Sequence, residues 1–194
     1  MASHALPAPS FPAWAAGFDR VHVDLGTGDG AYALHIARSD PGTAVFGLDT
    51  NLDHLRGSRK RHPHNLRFVA SDVRRFPVDT IPVAGLVTIN FPYGSILRGL
   101  VEADSGLLAR LDHLMGTNGR LDIRVNASAL TATGLNPGTG PDEIAAAVRL
   151  LPDTRVVSRP MTREELRSFP SAWAKRLGFG RDTVAWHIEA RRHL

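Results

Sequence analysis

The sequence predicts an α/β fold, with a seven-stranded, mostly parallel sheet and helices on both faces. Three observations predict it. An alternating apolar stretch at residues 21–25 leads into a glycine-rich turn and then into a helical stretch. Strand-like and helix-like stretches alternate from there on, which is typical of a parallel, doubly wound sheet. The last two strand-like stretches lack the usual spacing between a strand and the next parallel strand, which breaks this alternation.

The individual elements follow from hydrophobic periodicity and from the turn residues between periodic stretches. Residues 1–19, rich in proline and alanine, are predicted to form an extended or partly disordered lead-in, whose end Phe11, Trp14 and Phe18 attach to the domain. Residues 20–194 are predicted to form one domain. Its strands are predicted near residues 20–25, 44–49, 66–70, 84–90, 119–125, 154–159 and 183–191, and its helices near 30–39, 52–61, 95–115 and 141–150.

Three stretches carry more specific expectations. The helix predicted near residues 95–115 has one continuous apolar stripe and ends at Gly116. Thr131–Pro141, rich in Gly, Pro and Thr, is predicted to be a mobile loop. Between the last two strands, Thr162 and Glu165 have the spacing of a capping box and predict the start of a short helix.

Composition excludes several classes of chemistry. The chain has 194 residues, which leaves no room for a nucleotide-binding domain plus a separate catalytic domain. It has no cysteine, so disulfides, Cys-ligated zinc and thiol catalysis are excluded. No leader pattern and no 18-residue apolar run are found, and a soluble cytoplasmic protein is expected. No histidine group has metal-ligand spacing, so no metal is assigned, and no Ser/His/Asp arrangement supports nucleophilic catalysis.

The charge balance points to a polyanionic partner without requiring one. Lys and Arg number 23 against 19 Asp and Glu, a formal net charge of +4, and most of the positive charge is arginine. The guanidinium fork matches phosphate geometry. The alternative is that arginine simply replaces lysine on ordinary solvated faces.

The glycine-rich turn is the candidate ligand site. Gly26, Gly28 and Gly30 allow backbone to approach a ligand where a Cβ would clash, and the helix that follows presents amide groups. The spacing fits both the S-adenosylmethionine (SAM) turn and the dinucleotide fingerprint. Asp24 favours SAM, because a carboxylate before the turn suits the ammonium group of a methionine moiety and sits poorly beside a pyrophosphate.

Acidic residues at the ends of the next two strands extend this site. Asp49 is placed to accept both hydroxyls of a cofactor ribose, and capping of the next helix is the alternative. Asp72 is placed to accept a hydrogen bond from an adenine amino group, with Val73 offering a backbone amide and an apolar face. Capping of the following turn is nearly as good an explanation for Asp72.

Aromatic residues next to prolines or cations predict a nucleic-acid site. Asn90–Ser95 (NFPYGS) follows the fourth strand, where Tyr93 offers a platform on which a flipped base can stack; a core tyrosine is the alternative. Trp173 lies beside basic residues, a composition suited to base and phosphate contacts, and buried packing is the alternative. The basic residues predicted to contact RNA are Lys175, Arg176 and Arg181 here and Arg56, Arg59, Lys60 and Arg61 in the helix near residues 52–61, where a solvated face is also possible.

Three motifs resemble those of the aminoglycoside-resistance 16S ribosomal RNA methyltransferases that act on N1 of adenine 1408 in the decoding site, the kanamycin–apramycin resistance type. They are Asp24–Gly30 (DLGTGDG), Phe91–Gly99 (FPYGSILRG) and Ser171–Leu177 (SAWAKRL) with the following Arg181-Asp182. Many methyltransferases share the first, whereas the second and third together are fairly specific. The similarity runs from residue 19 to the C-terminus. It implies the class I, Rossmann-like methyltransferase fold, in which the last strand is antiparallel.

The resemblance implies SAM-dependent methylation of adenine N1 in the 30S subunit, and hence aminoglycoside resistance. It implies that Tyr93 and Trp173 hold the flipped adenine between them. The adenine N1 lone pair can attack the methyl group without a general base, so catalysis reduces to orientation and desolvation. A monomer that docks on the 30S subunit is expected. The family's cofactor contacts fall on Gly26, Asp49, Asp72 or Val73, Asn90, Ser95 and Ser171.

Three departures from the family pattern keep alternatives open. Tyr93 stands where the resistance enzymes usually have tryptophan, the family's N-terminal hairpin is reduced to the lead-in, and Thr131–Pro141 is short for a region that often touches RNA. A weakly active relative that binds SAM or RNA is one alternative. A methyltransferase for transfer RNA, which the basic surface suits equally, is the other.

Overall fold

The structure, a computed structural model, describes residues 10–51, 53, 55, 62–180 and 183–193. The helix predicted near residues 52–61 therefore falls largely outside the described residues. In the part of the chain that is described, no helix has the length and apolar character needed to span a membrane. The strands are β1 Arg20–Leu25, β2 Thr43–Asp49, β3 Leu66–Ala70, β4 Leu86–Asn90, β5 Arg120–Asn126, β6 Thr154–Pro160 and β7 Ala185–Arg192. The helices are α1 Phe11–Ala15, α2 Ala31–Ser39, α3 Gly94–Val101, α4 Ser105–Met115, α5 Ala127–Ala132, α6 Gly140–Val148, α7 Arg163–Ser168 and α8 Ala172–Phe179.

All seven strands form one sheet, in the order β3-β2-β1-β4-β5-β7-β6. Neighbouring strands from β3 to β5 are parallel, whereas β7 is antiparallel to both β5 and β6. The predicted fold class is confirmed, and the antiparallel last strand lies inside the sheet rather than at its edge. The strand order reverses between β1 and β4, which opens a crevice at the carboxyl ends of these strands.

The two faces of the sheet are covered by different helices. Buried apolar residues of α3, α4 and α6 belong to the same large cluster as Phe46 of β2 and Ile123 of β5. On the opposite face, Ala33 and Ala37 of α2 pack against Val45. Successive strand residues point to opposite faces, so β2 contributes Val45 to one side and Phe46 to the other.

The end of the lead-in is attached to the domain as predicted, but residues 11–15 form the helix α1 instead of the extended chain predicted there. The ring of Phe11 meets that of Phe46 edge-on at 5.7 Å, and Trp14 does the same at 5.1 Å. Phe18 packs against Trp14 with ring centroids 5.1 Å apart. These contacts bury apolar surface, which stabilises the attachment by roughly 25 cal/mol per Å² of area removed from water.

The single helix predicted near residues 95–115 is wrong, because the chain forms two helices there. α3 ends at Val101, Ala103 takes a positive φ of 54°, and Asp104 starts α4 as its N-cap, accepting a hydrogen bond from the Leu107 amide at 2.7 Å. Buried leucines continue on both sides of the break, so the apolar period hides it. A capping aspartate inside a periodic stretch is the sequence signal for such a break.

The segment predicted as a loop over Thr131–Pro141 is shorter in the structure. α5 continues to Ala132 and α6 begins at Gly140, so only residues 133–139 are irregular. The Thr133 hydroxyl donates to the Ala129 carbonyl at 2.8 Å, and the Gly140 amide donates to the Asn136 carbonyl at 2.8 Å. These local hydrogen bonds stabilise the ends of α5 and α6 within a stretch whose composition predicts a loop.

Replacing Asp104 with alanine removes the N-cap of α4 and leaves the Leu107 amide without that acceptor. We expect the free energy of unfolding to fall by about 1 kcal/mol. Chemical denaturation measures the change, and Asp104→Ser, which keeps a capping oxygen, serves as the matched control. An equal loss in both variants would contradict the capping role.

Candidate active site

The crevice above β1 and β4 consists of two lobes that share Gly26, Gly28, Phe91 and Tyr93 as walls. The larger lobe has a volume of about 700 Å³ and extends from β1 to the start of α8. The smaller lobe has a volume of about 270 Å³ and lies at the ends of β2 and β3. The shared walls indicate one elongated ligand site rather than two separate ones.

The glycine turn after β1 provides the backbone wall of both lobes. The amides of Gly26 and Thr27 donate to the Leu48 carbonyl at 2.8 and 2.9 Å, which fixes the turn to β2. Gly28 has a φ of 56°, and a Cβ added there would meet nothing within 4 Å. A ligand therefore has direct access to the backbone at this position.

Gly30, which the sequence predicts as a cofactor contact, is not among the described residues that line these two lobes. It has a φ of 73°, and a Cβ there would lie 2.5 Å from Leu55 Cδ2 and 2.8 Å from Phe68 Cζ. The structure thus explains this glycine by a left-handed backbone and by close packing beneath the turn.

The smaller lobe brings together Asp49, Asp72, Val73 and Ser95, four of the predicted cofactor residues. Asp49 Oδ2 accepts a hydrogen bond from the Gly28 amide at 2.9 Å. Its other oxygen accepts from the Asn51 amide at 3.0 Å. The carboxylate therefore fixes the glycine turn and at the same time faces the lobe.

Asp72 has charged neighbours that the sequence did not suggest. Its carboxylate forms an ion pair with Arg74 at 3.1 Å and lies 3.9 Å from Arg75. The hydrogen bond from the Arg74 side chain lowers the pKa of Asp72, so the group is ionised at neutral pH. A carboxylate accepts hydrogen bonds only, which suits an amino-group donor in the lobe.

Asp24 is buried at the inner end of the larger lobe. Its Oδ1 accepts hydrogen bonds from the Thr88 hydroxyl at 2.7 Å and from the Asn90 amide group at 3.0 Å. Burial raises the pKa of Asp24, while these donors and the nearby Arg124 act in the opposite direction. A cationic ligand in the lobe would favour the ionised carboxylate in the same way.

Tyr93 and Trp173 both line the larger lobe, although 80 residues separate them in the chain. Both residues are exposed, with exposed fractions of 62% for Tyr93 and 46% for Trp173. Trp173 lies in the first turn of α8, where Ser171 is the N-cap and accepts from the Ala174 amide at 3.1 Å. Two exposed rings at one cavity form a site for a flat ligand.

A buried aromatic cluster, which we call the Phe169 cluster, includes residues close in the chain to both Tyr93 and Trp173. Phe169 stacks on Tyr32 with centroids 5.0 Å apart and planes at 5°, and it meets Phe91 edge-on at 5.6 Å. The Arg124 guanidinium lies 4.8 Å from the Phe169 centroid. Phe91 precedes Tyr93 by two residues, and Phe169 precedes Trp173 by four. The contact between Phe91 and Phe169 therefore joins the two chain segments that carry the exposed rings.

Sequence reasoning missed Tyr32, Phe169 and Arg124. They come from α2, from the segment after α7 and from β5, and no local motif connects them. Phe91 is also unusual, because a bulky residue rarely takes its positive φ of 53°. That backbone turn directs Pro92 and Tyr93 from the end of β4 across the crevice.

Of the predicted RNA-contacting residues, Lys175 and Arg176 are exposed on α8, and Arg176 also lines the larger lobe. Exposed cations at the mouth of a cavity suit phosphate contacts that position a nucleic acid. The remaining basic residues of that prediction lie outside the described residues: Arg56, Arg59, Lys60, Arg61 and Arg181.

An acidic cluster on β5 and β7 consists of Asp122, His187 and Glu189, whose possible ligand atoms all lie within 4.8 Å of one another. Arg120 forms ion pairs with both carboxylates, at 2.8 Å to Asp122 and 2.9 Å to Glu189. Burial opposes ionisation, but the His187 and Arg120 side chains lower the pKa of Asp122 to about 2. Because an arginine already balances these charges, we assign the cluster to the sheet rather than to a metal.

The strand order, with a reversed strand between β5 and β6 and the glycine turn at the switch point, defines a class I SAM-dependent methyltransferase. Within that class, the chain belongs to the 16S rRNA (adenine(1408)-N(1))-methyltransferase family NpmA, whose family model matches residues 2–192. The resemblance noted in the sequence is therefore confirmed.

Relatives and solved structures agree with this assignment. A 16S rRNA (adenine(1408)-N(1))-methyltransferase of Escherichia coli is 25% identical over 182 residues, covering 84% of this chain and 83% of the relative. One of Streptoalloteichus hindustanus is 25% identical, covering 85% and 83%. A solved W203A variant of the Catenulisporales acidiphilia enzyme with its cosubstrate SAM has a TM-score of 0.77 and 26% identity, covering 99% of this chain and 95% of that one.

Gly28→Ala and Gly30→Ala form a matched pair, because both glycines have positive φ and both variants strain the backbone by about 1–2 kcal/mol. At position 28 the added methyl group enters the crevice, so we expect weaker SAM binding. At position 30 it collides with Leu55 and Phe68, so we expect a further loss of about 1–3 kcal/mol in the free energy of unfolding. Calorimetric titration and chemical denaturation measure the two effects; equal stability losses would contradict the packing role of Gly30.

Phe169→Leu and Phe179→Leu test the Phe169 cluster. Phe169 is buried, whereas Phe179, on the neighbouring α8, is 71% exposed. We expect Phe169→Leu to lower the free energy of unfolding by about 1–3 kcal/mol and Phe179→Leu to change it by less than about 0.5 kcal/mol. Denaturation curves of the two variants compare the same substitution in the two environments, and similar losses would count against a supporting role for Phe169.

Proposed function

We propose that this protein transfers the methyl group of SAM to N1 of adenine 1408 in 16S rRNA of the 30S subunit. One observation carries the proposal: Tyr93 and Trp173 line the same lobe as the glycine turn and Asp24. A planar target and a cofactor are thereby offered adjoining places in one crevice. The family assignment supports the identity of the nucleotide and of the acceptor atom.

The residues of the crevice fit this cofactor. The space over Gly28 admits a ligand against the backbone, and the Asp24 carboxylate offers a partner for an ammonium group. Asn90 and Ser171 line the same lobe, where their polar groups can orient the methionine moiety. Asp49 would hold the ribose hydroxyls, and Asp72, Val73 and Ser95 would enclose the adenine end in the smaller lobe. Bound SAM supplies a methyl group on a sulfonium, which is activated for direct transfer.

Tyr93 and Trp173 would hold the flipped adenine between their rings. Stacking of a base on an aromatic side chain contributes about 1–3 kcal/mol, which helps to offset the free energy of unstacking the nucleotide. Tyr93 offers a smaller surface than a tryptophan does. The Phe169 cluster would help to set the separation of the two rings, because the contact between Phe91 and Phe169 joins the two chain segments that carry them.

The residues around the larger lobe suit a reaction that needs no general base. The described residues that line it include no histidine and no lysine. Asp24 is occupied by hydrogen bonds from Thr88 and Asn90. The adenine N1 lone pair needs no deprotonation, so the protein's task is to orient the base and to exclude water.

Contacts to the ribosomal RNA backbone would come from the basic residues around the mouth. Arg176 and Lys175 lie next to Trp173 on α8, where they can meet phosphates beside the flipped nucleotide. The predicted basic group Arg56, Arg59, Lys60 and Arg61 would add contacts that do not read sequence. The product base carries a positive charge in the site where aminoglycosides bind, which would confer resistance. We expect the protein to act as a monomer in the cytoplasm.

Trp173→Ala tests the target-base site. We expect it to abolish methyl transfer to 30S subunits while SAM affinity changes less than about twofold, because the ring contributes to the base and not to the cofactor. Tritiated-methyl incorporation measures transfer, primer extension locates the stop at the modified adenine, and calorimetry measures SAM binding.

Two variants and one alternative acceptor complete that experiment. Trp173→Phe keeps a smaller ring and should retain part of the activity, whereas Phe179→Ala removes an exposed ring on the same helix and should retain most of it. Full activity of Trp173→Ala would contradict the proposed base site. Methylation of transfer RNA in place of 30S subunits, or SAM binding without methylation of either RNA, would contradict the proposed function.

A further inference from the structure

A buried chain of hydrogen bonds runs behind the Asp24 carboxylate. His22 Nε2 lies 2.9 Å from the Thr88 hydroxyl oxygen, which lies 2.7 Å from Asp24 Oδ1. His22 and Asp24 are on β1, and Thr88 is opposite Asp24 on β4. All three side chains are at most 2% exposed. None of them belongs to a loop, so the chain is part of the rigid sheet.

The chemistry of the three groups fixes the direction of the hydrogen bonds. When Asp24 is ionised, its carboxylate only accepts, so the single hydroxyl hydrogen of Thr88 goes to Asp24. The Thr88 oxygen then accepts from His22, whose Nε2 must carry the hydrogen. Burial lowers the pKa of His22 to about 4, against a smaller opposing effect of Asp122, so the imidazole is neutral at neutral pH. Because His22 Nε2 acts as a donor, it cannot accept the Thr88 hydrogen, and Asp24 is the acceptor in this series of hydrogen bonds.

We propose that Thr88, with its hydroxyl oriented by His22, is a positioning residue that holds the Asp24 carboxylate ionised and aimed at the ammonium group of the methionine moiety. The identity of that ligand rests on the proposed function. The position of the three groups explains why a strand interior contains a threonine and a histidine where apolar residues would pack equally well.

Thr88 donates directly to Asp24, and groups from several other elements also affect the ionisation of this carboxyl. Arg124 from β5 and Thr27 from the glycine turn lower the pKa of Asp24, and Tyr32 from α2 interacts with the same carboxyl. Asp122 and Arg124 from β5 act on His22. The charge of Arg124 favours the ionised form of Asp24. Arg124 also donates a hydrogen bond to Asn90 at 2.9 Å, and Asn90 in turn donates to Asp24. Tyr32 is uncharged at neutral pH, because burial raises its pKa to about 12. Loss of the Thr88 hydrogen bond leaves Asn90 as the other donor to Oδ1, and Thr27 still lowers the pKa of Asp24.

Thr88→Val removes the hydroxyl and keeps the shape of the side chain. Binding of two ligands by calorimetry separates positioning from general damage to the crevice. S-adenosylhomocysteine contains the amino-acid moiety, whereas 5′-methylthioadenosine lacks it. We expect Thr88→Val to weaken binding of the first by about tenfold or more, as for a hydrogen bond to a charged group, and of the second by less than twofold. Thr88→Ser, which restores a hydroxyl, should restore most of the affinity.

Thr43→Val is the matched control. Thr43 is also buried on the sheet, and its hydroxyl also donates to a carboxylate, that of Asp40 at 2.6 Å, but neither residue lines the crevice lobes. We expect this variant to bind both ligands like the wild type. A loss in Thr43→Val equal to that in Thr88→Val would show that the effect is structural and would overturn the inference.

The pH dependence gives a second readout. Only the ionised Asp24 pairs with an ammonium group, so affinity for S-adenosylhomocysteine should fall as pH decreases through the pKa of this carboxyl. Removing the Thr88 donor raises that pKa, so in Thr88→Val the loss should begin at higher pH than in the wild type. Binding of 5′-methylthioadenosine should show no such displacement.

The remaining outcomes are distinguishable. Equal weakening of the two ligands in Thr88→Val, or unchanged binding of both, overturns the positioning role and leaves the proposed function in place. Binding of neither ligand by the wild-type protein overturns the proposed function and this inference with it.

Discussion

The carboxylate of Asp24 imposes the main constraint on the interior of this protein. A buried negative charge is unfavourable unless donors and cations surround it, and here these come from two strands, β4 and β5. Thr88 and Asn90 of β4 donate to it, and Arg124 of β5 donates to Asn90. Strand register determines these contacts, since Asp24 lies opposite Thr88, and Asn90 lies opposite Arg124. The electrostatics of the site are therefore built into the sheet.

The same sheet residues connect the cofactor end of the crevice with its target end. Arg124 lies over Phe169 on one side and donates to Asn90 on the other, so one guanidinium contacts both halves of the site. Its ion contact with Asp122, at 3.6 Å, fixes it from behind. An arginine suits this place because its planar group can stack and donate at once, which a lysine cannot do.

Local patterns in the sequence were enough to predict the fold class and the ligand crevice, but not the interior that supports them. Residues close together in the chain mark each part of the crevice: the turn at Gly26–Gly30, the acidic residues at the ends of β2 and β3, and the segments that carry Tyr93 and Trp173. Thr88, Arg124 and Phe169 act through partners 60 or more residues away, or on another strand, and sequence periodicity carries no such information. The break between α3 and α4 was missed for a different reason, because the apolar stripe continues across Ala103.

The high exposure of Tyr93 has an evolutionary consequence. Its ring belongs to none of the buried apolar clusters of the described residues, whereas Phe91, two residues earlier, is a member of one. Exchange between tyrosine and tryptophan at this position therefore leaves the folded core untouched. Selection can adjust the strength of base capture there by single substitutions, in a lineage that gains or loses exposure to an antibiotic, without a penalty in protein stability.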